Sequence, residues 1–169
     1  PDPAGSHWYE FESRISGIQR EFRITPEELS AASKNVDQSF LNETLFVLPN
    51  NDGESFRSLQ ILRALKAKNV RISDQAWGAT LDKENLRSRD IPEGVRRIVT
   101  FELPSPEKEE KLRKEGFEVI PIDHHFYHET DRQNPKSSLE QLMEMVGWQP
   151  SERDLAIATN DRSFIPGMK

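Results

Sequence analysis

The sequence predicts an α/β fold, a parallel β-sheet with helices on both faces, and three observations carry that expectation. Four short runs, "TLFVLP" (44–49), "VRIS" (70–73), "RRIVTFEL" (96–103) and "FEVIPI" (117–122), have strand character. The first is continuously apolar, the pattern of a strand covered on both faces. Stretches with helix-start signals separate the runs, and strands alternating with helices imply right-handed βαβ crossovers.

Taken in order, residues 1–7 ("PDPAGSH") read as a tail or cloning remnant, so His7 is given no role. Residues 8–43 form an N-terminal helical segment. Phe11, Ile15, Ile18 and Phe22 fall at helical spacing. "TPEE" (25–28) supplies a Thr25 cap, Pro26 at the first helical position and Glu28 to close a capping box, predicting a helix to about Ser33. "NVDQSFLNE" reads as a loop. The α/β domain then occupies 44–169. After the first strand, "NNDGES" leads into a helix with Leu59, Ile61, Leu62 and Leu65 marking its apolar face. The stretch 74–95 is polar and irregular, with one helical turn near Lys83 to Arg87. Ser105, Pro106 and Gly116 delimit a helix after the third strand. Leu139, Leu142, Met143 and Val146 mark another. "SERDLAIATNDRSF" is helical at first, capped by Ser151, with Asp161 at its end.

Composition narrows the function classes. The chain has 169 residues, enough for one domain with a real core. Its net charge of −6 argues against phosphate-backbone binding through a basic surface. With no cysteine, disulfides and thiolate metal sites are excluded, and a cytoplasmic protein is expected. No apolar run approaches the ~20 residues that span a bilayer.

Ligands of open parallel sheets bind outside the carboxyl ends of the strands. There the sequence puts Asp52 and Glu54 after the first strand, Glu102 after the third, and Asp123, His124 and His125 after the fourth, with Asp161 further on. Such a cluster repels itself unless a cation compensates it. Carboxylate and imidazole donors without thiolate suit Mn²⁺, Mg²⁺ or iron more than structural zinc. Each element alone has a plainer reading: a glycine turn, a solvated glutamate, a surface histidine pair, a helix cap. Only their meeting at one edge is informative. His128, at an odd spacing in a polar loop, is assigned to the surface.

The order of these elements resembles the N-terminal domain of the DHH phosphoesterase family, with its RecJ-like and nanoRNase-like members. The resemblance covers roughly residues 40–165. It rests on "IDHH" (122–125) after "LRKEGFEVIP", on "NNDGESFRSLQIL" as first motif and "IVTFELPSPE" in the place of the second. "SSLEQL" stands where the family has a Ser/Thr-rich helix start, and "LAIATNDRSFIP" looks like the fourth motif. The resemblance implies a Rossmann-like sheet of βαβ units and a metal-dependent phosphodiesterase acting on oligonucleotides or small nucleotides through a metal-activated water. Asp52, Glu54, Glu102, His124 and Asp161 would hold one or two Mn²⁺ or Mg²⁺ ions. His125 would sit near metal or phosphate as a catalytic residue, with Asp123 orienting the histidine pair. Family members usually carry a further C-terminal substrate-gripping domain; the chain reads either as a fragment, with that domain or a second copy of the chain as partner, or as a stand-alone metal-bearing half.

Two departures keep a second reading open. Leu48 occupies the first-motif position that ligates in the family, and Glu102 replaces an aspartate by a residue one methylene longer. Both fit a degenerate relative that binds or regulates without catalysing. A third reading, an α/β domain with an accidental Asp-His-His, leaves these residues merely solvated.

Overall fold

The computed structural model describes residues 23–164 apart from Trp77 and Glu129. The tail over 1–7 and the helix expected over 8–22 lie outside the described residues. Four strands, β1 (Thr44–Leu48), β2 (Asn69–Ile72), β3 (Arg97–Phe101) and β4 (Glu118–Ile122), pair all-parallel in the order β2-β1-β3-β4. The predicted α/β class is therefore present.

The chain steps outward from β1 to β2, crosses back to β3, and steps outward the other way to β4. With a constant crossover hand, that reversal sends successive helices to opposite faces. α3 (Gly53–Ala64) follows β1, and α4 (Pro106–Lys114) follows β3. One core joins Phe46, Leu48, Val99, Phe101 and Ile122 of the sheet to Leu59, Ile61 and Leu62 of α3 and to α5 (Ser138–Val146). The other joins Leu45, Val47, Ile98 and Val119 to Leu112 of α4 and to Leu81 and Leu86. Neighbouring strand residues thus feed opposite cores, which is why β1 had to be apolar throughout. Each fully buried Leu, Ile or Phe contributes roughly 1.5–3 kcal/mol.

The N-terminal elements belong to the first core. α1 (Pro26–Ala32) contributes Ala32, and α2 (Gln38–Asn42) contributes Leu41. α2 corrects the loop expected there: the Asp37 carboxylate accepts from the N–H groups of Ser39 and Phe40 and starts a short helix. Glu28 does not turn back to close a capping box. Thr25 caps α1 as expected, but the Glu28 carboxylate pairs with Arg57. The stretch after β2 is less irregular than its polarity implies: 3₁₀ turns at Leu81–Glu84 and Ser88–Asp90 bury Leu81 and Leu86. The last helix, α6 (Glu152–Phe164), continues through Asp161 and does not end there. Among the described residues, no helix is long and apolar enough to cross a membrane.

Candidate metal centre

The reversal of strand order opens a crevice between the carboxyl ends of β1 and β3. Asp52 and Glu54 follow β1, Glu102 follows β3, and His124 and His125 follow β4.

His124 is the hub. It is buried, and its Nε2 lies 2.9 Å from Asp161 Oδ2, 3.5 Å from Glu102 Oε1 and 3.7 Å from Glu54 Oε2. Three carboxylates from three separate segments therefore face one imidazole nitrogen. The close approach of Asp161 lies off the line of an N–H bond, and both His124 Nε2 and Glu54 Oε2 are buried without a hydrogen-bond partner. Native interiors rarely leave such atoms unpaired, because each costs about 1–3 kcal/mol or more. A cation among them satisfies both. Ligand atoms of Glu54, His124 and Asp161 lie within 4.8 Å of one another, and those of Glu102, His124 and His125 do the same. The donors fit a hard or borderline divalent ion.

Each candidate ligand is held by its backbone setting. Glu54 lies in the first turn of α3, fully buried, and its Oε1 accepts from the N–H of Leu139 at 3.1 Å. That N–H belongs to the first turn of α5, whose positive end favours a carboxylate. Glu102 is reached through a left-handed backbone, φ 52°, just past β3, while its N–H still bonds Ile122 at 2.9 Å. A non-glycine residue in that region costs of order 1 kcal/mol. The kink turns the chain out of the sheet where Glu102 meets His124. Asp161 comes from α6.

Asp123 organises the histidine pair. Its Oδ1 accepts from the backbone N–H groups of His124 (2.8 Å) and His125 (3.0 Å) and meets His125 Nδ1 at 2.9 Å. This leaves Nε2 as the ring nitrogen of His125 not committed to Asp123. The two imidazoles lie 4.3 Å apart between centroids. Gln141 of α5 donates to the Asp123 carbonyl, and Arg132 clamps the following loop to the buried Glu109 with two bonds of 2.7 Å. Asp52 has a different setting. Its Oδ1 accepts from the Ser55 N–H at 2.8 Å and caps α3, and it belongs to neither group of converging ligand atoms among the described residues. It stands close enough to Glu102 and Asp161 to feel their charge.

The electrostatics follow from this crowding. Burial, reinforced by Asp161 and Glu102, pushes the Glu54 carboxyl up to about 8 against the pull of Ser137 and Leu139. Burial, and then Glu102, raises Asp52. Burial would lower His124, but Asp161, Glu102 and Glu54 outweigh it and push it up to about 10. Burial likewise opposes ionisation of Asp161, and His124 overrides it, holding that carboxyl below its usual range. Asp123 raises His125.

Leu48, the last residue of β1, is buried in the core. His128 is exposed, as expected. One cleft reaches the cluster, and a second is lined in part by the loop after the histidine pair. The first, of about 430 Å³, is lined by Gly53, Glu54, Asn160 and Asp161. The second, larger at about 900 Å³, runs from Tyr127 and His128 to Ser105 and Lys111. Tyr127, whose ring centre is 6.0 Å from that of His125, was not anticipated; an aromatic two residues beyond the histidine pair was its only signal.

No family model, no curated protein and no solved structure matches the chain.

Proposed function

We propose that the chain is the metal-bearing domain of a DHH-type phosphoesterase that hydrolyses phosphodiester bonds of oligonucleotides or small nucleotides. The observation that carries the reading is the convergence of Glu54, Glu102 and Asp161 on His124, with two buried ligand atoms lacking any other partner. Glu54, His124 and Asp161 would hold the ion, with Glu102 facing it. Bound there, a divalent cation would lower the pKa of a coordinated water and offset charge on the phosphate oxygens. Manganese or magnesium suits the donor set.

His124 belongs to both groups of three ligands. A neutral imidazole has one lone pair to give, so the two groups cannot both be filled through it. The proposal is accordingly a centre built around one strongly held ion. Leu48, which offers no donor, is consistent with that loss.

His125 serves the phosphate. Asp123 takes its Nδ1 side and favours the protonated ring, so Nε2 can donate to a phosphate oxygen or to the leaving oxygen. Asp52 acts as the cap that fixes the turn carrying Glu54. The 430 Å³ cleft gives a phosphodiester access to Glu54 and Asp161.

Hydrolysis of bis(p-nitrophenyl) phosphate with Mn²⁺ tests the reading. His124→Ala should abolish turnover and Mn²⁺ binding; wild-type rates in that variant would refute the assignment. The competing reading, a degenerate relative with a weakened metal site that binds or regulates without catalysing, draws on Leu48 and Glu102. It is favoured if calorimetry finds no Mn²⁺ binding, or if Mn²⁺ gives no stabilisation against heat.

A further inference from the structure

We propose that Arg57 and Asp154 are positioning residues, whose buried ion pair sets α6 at the angle that brings Asp161 to His124. The proposal rests on the metal reading of the cluster above.

Arg57 stands one turn beyond Glu54 on α3, so the two side chains project from neighbouring positions on one side of that helix. The Arg57 side chain is wholly buried, and its Nε donates to Asp154 Oδ1 at 2.6 Å. A second guanidinium nitrogen donates to Glu28 of α1. Asp154 is as deeply buried. Its other oxygen accepts from the Ser151 N–H (2.8 Å), the Ser151 hydroxyl (2.9 Å) and Trp148 Nε1 (3.2 Å).

Asp154 and Asp161 are two helical turns apart on α6, which places them on one face about 10 Å from each other. The α3–α6 junction therefore has two contacts of different kind. Arg57 meets Asp154 directly, whereas Glu54 and Asp161 meet through His124, with ligand atoms of all three within 4.8 Å of one another. Among the described side chains of α6, apolar contact with the core comes from Ala158 and Ile157. Ala158 is buried and Ile157 partly so, but Leu155 is 46% exposed. A buried ion pair is weak evidence for stability, since apolar residues of similar volume often serve as well. What a guanidinium with fixed donors adds is direction. Here that direction fixes the rotation of α6 about its axis, and with it the side that Asp161 presents.

Mn²⁺ calorimetry tests this. Asp154→Asn keeps the shape of the site and leaves Arg57 its bond to Glu28, so no bare buried charge results. It should weaken Mn²⁺ binding about tenfold or more, the range for residues that orient ligands. Trp148→Phe removes a bond to the same carboxylate but spares the ion pair; it should leave Mn²⁺ affinity within about twofold whatever it does to stability. In an Asp161→Asn background, Asp154→Asn should weaken binding no further, since it acts through Asp161. Unchanged affinity in Asp154→Asn, or an undiminished effect in the Asp161→Asn background, overturns the proposal. If Asp154→Asn does not fold, Arg57→Lys, which keeps the charge but not the fork, should show the same loss in smaller degree. If the wild-type protein binds no Mn²⁺, the metal reading fails by itself. Hydrogen exchange then decides the pair: the amides around Asp161 should exchange faster in Asp154→Asn than in Trp148→Phe, and equal rates would sink it.

Discussion

Stripped of divalent ions by a chelator, the protein should release about two protons for each Mn²⁺ it takes up at pH 7. In the stripped protein, protons do the work of the cation. His124, pushed up to about 10 by Asp161, Glu102 and Glu54, carries its proton almost completely at pH 7. Glu54, pushed up to about 8, is about nine-tenths protonated at that pH. Ligation requires His124 neutral and Glu54 ionised, so both protons must leave, which gives ~2 per ion. Log affinity should then rise by about 2 per pH unit from pH 6 to 7.5, a gain of ~100-fold per unit, and the slope should ease toward 1 above pH 8. Calorimetry in two buffers of different ionisation enthalpy reads the proton count directly. An apparent enthalpy independent of buffer, or a pH-independent affinity, would refute the claim that the ion enters among these side chains.

Three other outcomes are expected. Without metal, the folded protein binds protons at Glu54 and His124 more tightly than the unfolded chain does, whose ordinary values are 4.5 and 6.5; stability should therefore fall as pH rises through 4.5 to about 8 and 6.5 to about 10, and saturating Mn²⁺ should flatten that decline, as followed by denaturant titration. Glu102→Gly relieves the left-handed backbone at φ 52° but also removes a carboxylate that holds the His124 proton, so in chelated protein its effect on stability should become more favourable as pH rises and that proton is lost, while Mn²⁺ affinity drops; a pH-independent effect would contradict the pairing assigned there. Gly147→Ala places a methyl 2.3 Å from the Asn35 carbonyl oxygen at φ 76°, and urea unfolding should show a loss of ~2 kcal/mol or more.

The strands were legible because parallel sheets demand apolar runs, and the cap chemistry of α3 and α5 is local enough to read from residues a few positions apart; Ser105 and Pro106 open α4 where expected, but the Ser105 side chain makes no cap bond. α2 was not legible. It is five residues long, too short to show a period, and its start signal is a single aspartate, Asp37. Asp161 looked like the end of a helix because "TND" is compatible with a cap, whereas contacts with α3 and α5 and the pull of His124 carry the helix on. The positions of Glu54, Glu102 and His124 could be inferred from strand order, since all three follow strand ends. What holds them could not. Arg57 lies inside an apolar stretch and its partner is 97 residues away, so in sequence it reads as one more exposed charge. Likewise, that Leu139 would donate to Glu54 depends on where α5 docks.

The spread of the centre along the chain also bears on how the protein is made. All four strands are synthesised by Ile122, whereas Asp161 follows about forty residues later, a delay of roughly 2–8 seconds at ordinary translation rates. During that interval a nascent chain can assemble its sheet, with Glu54, Glu102 and His124 already near one another, but lacks the carboxylate that closes the pocket. If the cluster holds an ion as proposed, its capture is tied to the arrival of α6, and a ribosome stalled between the last strand and the last helix would expose Glu54, Glu102 and His124 without Asp161.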